Sequence, residues 1–408
     1  MRRLPLSILS IATVLAMPFA LAGWHDFFAP DSNGVMATGT HGGLDFVNFW
    51  SAGRLALEGL VTQGYDPASY KALLAAWFAP ATVFTNLSYP PSLLPWLAPF
   101  ALLPFPIAFM LWSLLSLSAF LWAALGRWPT RQDGPLAVLL LFAPVVVSNV
   151  VFGQIALFMA ALFIGALRVL PMRPALAGVL FGLLTLKPQL AVLVPLFLIA
   201  LGAWRTLGVM TATAIALVLA SIAMFGIEPW QAYLTDTARL QWSYILTMDD
   251  FYAIHMTTPY AALWTLGVPT EVALAGQWVL SASIVVATYV VARSQTTLPL
   301  KALILTLGTV MVVPYALAHD MAVPLAALIW YWRSRVAAPA PIELTLGGLL
   351  WLLPFPLTFL LQHQGVPATQ VVMLALYGWL VANALGWQPF ARRDHSADPV
   401  IIWTRARA

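Results

Sequence analysis

Apolar residues fill the chain in long stretches separated by short polar turns. A helix needs about 20 mostly apolar residues to cross the hydrocarbon core of a bilayer. The pattern predicts twelve such segments, at 4–22, 104–125, 135–151, 153–170, 174–186, 188–202, 205–225, 271–293, 298–317, 319–333, 342–361 and 367–387. Those at 174–186, 188–202 and 319–333 are too short to cross alone. They predict either shifted boundaries or half-helices that meet inside the membrane. The expected class is an all-α polytopic membrane protein with about 12 transmembrane helices, some short or broken. Residues 1–390 read as one integral membrane domain, and 391–408 as a polar cytoplasmic tail.

Two stretches outside the spans are long. The first, 23–103, is too long for a plain connector and is expected to carry structure and function. Within it, residues 45–60 read as a helix with Phe46, Phe49, Trp50, Gly53 and Leu57 on one face and Gly59 as its stop. Asp66-Pro67 opens a second short helix, with Asp as N-cap and Pro at the first position, continuing through Tyr70, Leu73, Leu74 and Trp77. Neither can span, so both are expected to lie along the membrane surface. Pro90, Pro91, Pro95, Pro99, Pro104 and Pro106 then predict a bent path into the second span. The second long stretch, 226–270, sets Trp230, Tyr233, Trp242, Tyr244, Phe251 and Tyr252 among acids. It reads either as an interfacial aromatic anchor or as the wall of a lipid or sugar site.

Composition agrees with the pattern. Of 408 residues, 61% are hydrophobic and 8% charged, against about 25% charged in soluble domains. A soluble globular enzyme is excluded. There is no cysteine, so there are no disulfides and no thiol-based zinc or redox site.

The distribution of charge says more than its net value of +4. With the N-terminus inside, every Lys and Arg falls on the cytoplasmic side except Arg54, Lys71, Lys187 and Arg239, as the positive-inside rule requires. Most acids fall on the other side. If 174–202 were one kinked helix, Arg293, Lys301, Arg333, Arg335 and the arginines of the tail would face outward. A break near Lys187-Pro188 is therefore expected. The Arg-Arg start and Ala20-Leu21-Ala22 also fit a cleavable leader, but an uncleaved first span suits an integral membrane protein better.

Polar residues in or beside the spans gather near the outer face in this topology. They are Asn149, Gly153 and Gln154, Lys187 at the break, His319-Asp320 after Pro314-Tyr315, and Gln362, His363 and Gln364. With Asp45 and Tyr89 they can line one outward-opening cavity. A lysine at mid-membrane costs roughly 2.5–3.5 kcal/mol. Lys187 is either neutralised in a turn by an acid such as Asp320 or forms an anion site suited to phosphate. Asp45 is either a helix N-cap or a general base. Arg54 can meet a phosphate, or Glu58 four residues on.

Other chemistry is missing from the sequence. It has no Gly-x-x-x-x-Gly-Lys-Ser/Thr phosphate loop, no Gly-x-Ser-x-Gly elbow and no His-Glu-x-x-His. The six histidines show no metal-ligand spacing, and His25, His41 and His255 read as solvated loop residues. The Gly39 to Gly43 run reads as a turn. No basic cluster points to nucleic acid.

Taken in order, Asp45-Phe46 through Gly53-Arg54-Leu55-Ala56-Leu57-Glu58-Gly59, Tyr65-Asp66, Tyr89-Pro90-Pro91, Gly153-Gln154, Ala177-Gly178 with Gly182, Lys187-Pro188, Pro314-Tyr315 and His319-Asp320 resemble glycosyltransferase family 87, of the C-type membrane fold. The resemblance covers about 40–330. It implies transfer of a sugar, typically mannose, from a polyprenyl-phosphate carrier with inversion at the anomeric carbon. The acid before the first surface helix is then the base. Asp45 holds that position, with Asp66 or Asp320 as the alternatives for the base. Lys187 would hold the donor phosphate with help from His319 or Arg54, and Tyr89, Gln154, Asp320 and His363 would line the substrate cavity. The resemblance implies no nucleotide, no metal and no other cofactor. The partners implied are the lipid-phosphate sugar, a lipid-linked or glycan acceptor and membrane lipids, with no nucleic acid. Without a separate soluble domain, the expected acceptor is a membrane glycolipid. The Arg-over-Lys, Ala-rich composition suggests a GC-rich bacterium and hence its plasma membrane, with the site on the outer face. The competing readings are a lipid or lipid-linked-sugar transporter, which predicts related halves and polar residues at mid-depth, and an inactive assembly subunit.

Overall fold

The computed structural model describes residues 6–28, 43–78, 87–248 and 255–387. Among them every regular element is a helix, apart from an isolated bridge between Met256 and Leu317. The chain is a helical membrane protein, in which helix length and composition support four to six of the about twelve expected spans, some of them expected to be short or broken. Four helices are long and apolar enough to cross: Leu6–His25, Phe105–Leu125, Trp204–Phe225 and Thr270–Arg293. Two bent pairs, Arg131–Leu141 with Pro144–Phe152 at 69° and Pro341–Leu352 with Leu357–His363 at 90°, raise the total to six if each pair is one span. The other apolar helices have 10–17 residues. Ala156–Val169, for example, rises about 21 Å against a core of about 30 Å.

Proline causes much of this fragmentation. Ala143 stands before Pro144 and is extended (φ −65°, ψ 128°), which ends one helix and starts the next at a new angle. The break expected at Lys187-Pro188 is present. A turn at Leu184–Leu186 closes the Pro174–Leu183 helix, Lys187 leaves the helical conformation (φ −134°, ψ 78°), and a second turn at Pro188–Ala191 leads to the Val194–Leu201 helix.

The first long stretch folds as two helices near the predicted limits. Leu44–Glu58 ends at Gly59, whose φ of 72° a glycine adopts without strain. Pro67–Phe78 begins where Asp66 accepts a hydrogen bond from the Ser69 amide at 2.8 Å. Leu44–Glu58 is packed inside the protein, with Phe46, Val47, Asn48 and Phe49 buried, although Leu57 is exposed. It crosses the Leu94–Ala101 helix at Gly53, where a Cβ would lie 2.5 Å from the Leu97 carbonyl oxygen. A second close crossing involves Gly178 and Gly182. Cβ atoms there would come within 2.6 Å of Val209 and 2.5 Å of Thr213 in the Trp204–Phe225 helix, the small-xxx-small packing of membrane helices.

Several helices run between two poles. One pole gathers arginines that the charge pattern assigns to the inside. Arg127 and Arg333 both pair with buried Asp133 at 3.1 Å, and Arg335 pairs with buried Glu343 at 2.7 Å. Arg168 donates to the Ala123 and Ala124 carbonyls and stacks on Trp330. At the other ends of two of these helices, Gln154 precedes Ala156–Val169 and His319-Asp320 precedes Ala322–Ser334, and all three residues line one cavity.

Gly53→Val tests the first crossing. The added side chain meets backbone, which cannot swing away, so a loss of about 1–3 kcal/mol is expected. A thermal melt in detergent reads this as a lower midpoint, and an unchanged midpoint contradicts the packing.

Candidate functional site

The site is built on the end of the Pro144–Phe152 helix. Gly153 ends this helix in the left-handed region (φ 68°), and a Cβ there would lie 2.5 Å from that of Phe46. Gly43, also left-handed (φ 73°), donates its amide to the Val151 carbonyl at 3.1 Å and lies against Phe109. These two glycines let the start of the Leu44–Glu58 helix meet the end of Pro144–Phe152. The approach sets Asp45 beside Gln154, which hydrogen-bonds its carboxylate.

Asp45 does not cap its helix. Gly43 is the cap residue, no side chain caps the first amides, and Asp45 already lies in the first turn. Its carboxyl is half-buried at the cavity wall. Desolvation by the surrounding protein pushes its pKa up to about 6, against the lowering effects of Gln154 and Lys187 and together with repulsion from Asp320. It is thus ionised at neutral pH and a far better proton acceptor than an ordinary carboxylate.

Lys187 reaches the same cavity from the helix break. Its ammonium pairs with Asp320 at 2.5 Å, and their side chains are 5% and 1% exposed. The other Asp320 oxygen accepts from the Leu317 amide at 3.4 Å. Ser148 and Asn149, both on Pro144–Phe152, hold the neighbouring residue. Asn149 Nδ2 donates to the His319 carbonyl at 3.1 Å, and Ser148 Oγ lies 3.5 Å from His319 Nδ1. Burial, with the charges of His255 and Lys187, lowers the His319 pKa to about 3. His319 is therefore a neutral hydrogen-bonding group. Tyr89 completes this wall. Its carbonyl accepts from the Tyr65 hydroxyl at 2.8 Å, and its ring packs on Phe49.

The structure thus brings Asp45, Tyr89, Gln154, Lys187, His319 and Asp320 to one cavity of about 480 Å³, within the ordinary range for small-molecule sites. It leaves out two expected residues. Arg54 lies nine residues after Asp45, two and a half helical turns on, and so occupies the opposite face. It pairs there with Glu58 at 2.7 Å and stacks on Trp77. His363 is exposed at the end of the Leu357–His363 helix, because its neighbour Gln362 turns inward and donates to the Met256 carbonyl.

The cavity also takes in residues that the sequence did not single out. Asn48 lies one turn after Asp45 on the same face and accepts from the Tyr70 hydroxyl. Gln189, Thr237 and Gln241 line it as well. Tyr233 and Trp242 belong to the wall, which favours that reading of the aromatic stretch over a membrane anchor alone; Phe251 and Tyr252 lie outside the described residues, as do His41 and the Gly39 turn. Among the described residues no three His, Asp or Glu side chains are placed to hold a metal ion.

Two stability measurements test these electrostatics. The Asp45 pKa is raised in the fold above its ordinary 3.8. The native state therefore binds more protons than the unfolded chain between these values, and stability falls as pH rises through that window. Asp45→Asn should melt higher than wild type at neutral pH and like wild type near about pH 4. A lower midpoint at neutral pH would contradict the assignment. Lys187→Met strands a buried carboxylate and should cost about 3–5 kcal/mol, with much of the loss restored by adding Asp320→Leu. Simple additivity of the two changes would show that the pair is not coupled.

Searches of curated proteins and of solved structures give no match. A family model, that of glycosyltransferase family 87, matches residues 84–314, more than half of the chain. That span holds Tyr89, Gln154 and Lys187 of the cavity together with the Tyr233 to Trp242 wall, and on this match the chain belongs to glycosyltransferase family 87.

Proposed function

We propose that the chain is an inverting glycosyltransferase that moves a sugar, mannose by the resemblance, from a polyprenyl-phosphate carrier to a membrane glycolipid or glycan. The observation that carries this reading is one cavity holding both an acid of raised pKa, Asp45, and a buried ammonium, Lys187, in a chain of this family.

Each group has a task. The acceptor hydroxyl attacks the anomeric carbon from the face opposite the phosphate. Asp45 takes the hydroxyl proton as the new carbon–oxygen bond forms, and Gln154 holds the carboxylate in place. The bond from the anomeric carbon to the phosphate oxygen breaks, and polyprenyl phosphate leaves. Lys187 receives the charge that develops on that oxygen. An ammonium has three donors, so the contact to Asp320 leaves others for the phosphate. His319, held neutral, adds a hydrogen bond without a charge. Asp320 keeps Lys187 aimed.

The arginine-rich pole at the far ends of the helices supports placing this cavity on the outer face of a bacterial plasma membrane, with both termini inside. The cavity residues Gln154 and His319-Asp320 stand just before helices Ala156–Val169 and Ala322–Ser334, whose far ends carry Arg168 and Arg333. This favours transfer at the surface over transport through the membrane.

Donor turnover tests the reading. Purified wild type in nanodiscs, given polyprenyl-phosphate-mannose and extracted membrane glycolipids, should release polyprenyl phosphate. Asp45→Asn should lower the rate by about 10²–10⁴ while still binding donor. Wild-type kcat/KM should fall about tenfold per pH unit below the Asp45 pKa of about 6. Full activity in Asp45→Asn would remove it as the base. No release from any of a panel of lipid-phosphate sugars would overturn the transferase reading in favour of lipid transport.

A further inference from the structure

One wall of the cavity plays no part in the chemistry above. It is a continuous helical strap made of Glu228–Ala232, a π-helical turn at Tyr233–Thr237, and Ala238–Thr247. Tyr233 meets Tyr65 edge-on at one end, with ring centroids 6.0 Å apart. At the other end Ile245 packs with Met256, and its carbonyl accepts from the Tyr260 hydroxyl at 2.6 Å. The strap therefore runs from the helices of the first long stretch to the segment bridged to Leu317, two residues before His319.

Its inner face has a distinct chemistry. Tyr233, Thr237 and Gln241 all line the cavity, four residues apart. In a plain α-helix a four-residue step overshoots a full turn by roughly 40°, so such a row drifts off one face. The wider π turn undershoots. One π step followed by one α step keeps the three residues in line. Trp242 adds a second aromatic ring. The charged residues of the strap, Glu228, Asp236 and Arg239, are exposed and do not line the cavity. Thr237 is 3% exposed, and among the described residues neither its hydroxyl nor the Gln241 amide forms a side-chain hydrogen bond, while both residues line the cavity.

A face of unspent neutral donors and acceptors between aromatic rings suits a carbohydrate. Hydroxyls match the amide and the threonine oxygen, and the apolar faces of a pyranose match the rings. It does not suit a phosphate, which needs charge, nor a bare polyprenyl chain, which would leave the polar groups unpaired. We infer that the inner face of the strap, through Thr237, Gln241, Tyr233 and Trp242, is a binding subsite for the neutral saccharide head of the acceptor, apart from the Lys187 site of the donor phosphate. This rests on the proposed transferase reading. It adds where the acceptor is held, that the part held there is an uncharged sugar, and the residues that select it.

Binding separates the two sites without turnover. The full chain in nanodiscs is titrated with radiolabelled octyl α-mannoside, a neutral glycoside, and separately with undecaprenyl phosphate. Wild type and Asp45→Asn should bind both. Thr237→Val with Gln241→Leu should weaken the glycoside about tenfold, the worth of one or two hydrogen bonds, and leave undecaprenyl phosphate unchanged. Lys187→Met should do the reverse. Gln241→Glu keeps the size and adds a charge, and should also weaken the glycoside, so the test does not hang on one variant. Asp236→Asn, on the exposed face, should change neither. The inference is overturned if the wild type fails to bind the glycoside at millimolar concentration, if the double variant binds it like wild type, or if undecaprenyl phosphate is the ligand lost. Failure of the transferase reading is seen separately, as absence of sugar transfer from every lipid-phosphate donor.

Discussion

Two buried charges, far apart in sequence, meet at the base of the cavity. Lys187 stands where proline breaks the middle of the chain, and Asp320 stands in the turn after the Leu298–Met311 helix. Neither ion is stable alone in a low-dielectric interior. Each is therefore held to the other, and the pairing fixes how the broken helix and the late turn approach. Everything that faces the pair inherits this geometry: His319, pinned by Ser148 and Asn149, Gln154 one turn further on, and Asp45 beside it. An apolar pair would pack as well, so the retained charges are best explained by what they do in the cavity.

The motifs that suggested the family separate into chemistry and scaffolding. Gly53, Gly178 and Gly182 let helices cross at distances that any side chain would prevent. Gly153 lets Phe46 come close enough for Gln154 to reach Asp45. Tyr65 serves the site at one remove, by holding the Tyr89 backbone. Arg54 and Glu58 pair with each other on the outside of their helix. Of the motif residues, Asp45, Tyr89, Gln154, Lys187, His319 and Asp320 bring polar groups to the cavity, and Pro90, Pro188, Pro314 and Tyr315 line it beside them.

How much could be read from sequence follows the range of the forces involved. The Leu44–Glu58 and Pro67–Phe78 helices were legible because their stop and start lie in local residues, Gly59 and Asp66-Pro67. The break at Lys187 was legible because proline acts on its neighbour and because the charge pattern requires an even number of crossings. The number of full spans was not, since Pro144, Pro354 and Pro356 divide apolar runs that hydropathy alone joins. Local residues alone make Asp45 a fair N-cap, whereas tertiary contact puts Gly43 in that place, through an amide bonded to Val151 more than a hundred residues away. The exclusion of Arg54 was legible in its nine-residue offset from Asp45, whereas the exposure of His363 was not. The strap face of Thr237 and Gln241 was hidden, because a π turn that realigns a row leaves no simple period behind.

The most direct test of the central claim is the position of the donor. Cryo-electron microscopy of the Asp45→Asn chain in nanodiscs with polyprenyl-phosphate-mannose would locate both the phosphate and the anomeric carbon. The expected result is a phosphate within hydrogen-bond distance of the Lys187 ammonium and an anomeric carbon facing residue 45 across the cavity. A phosphate bound away from Lys187, or a sugar turned away from residue 45, would contradict it.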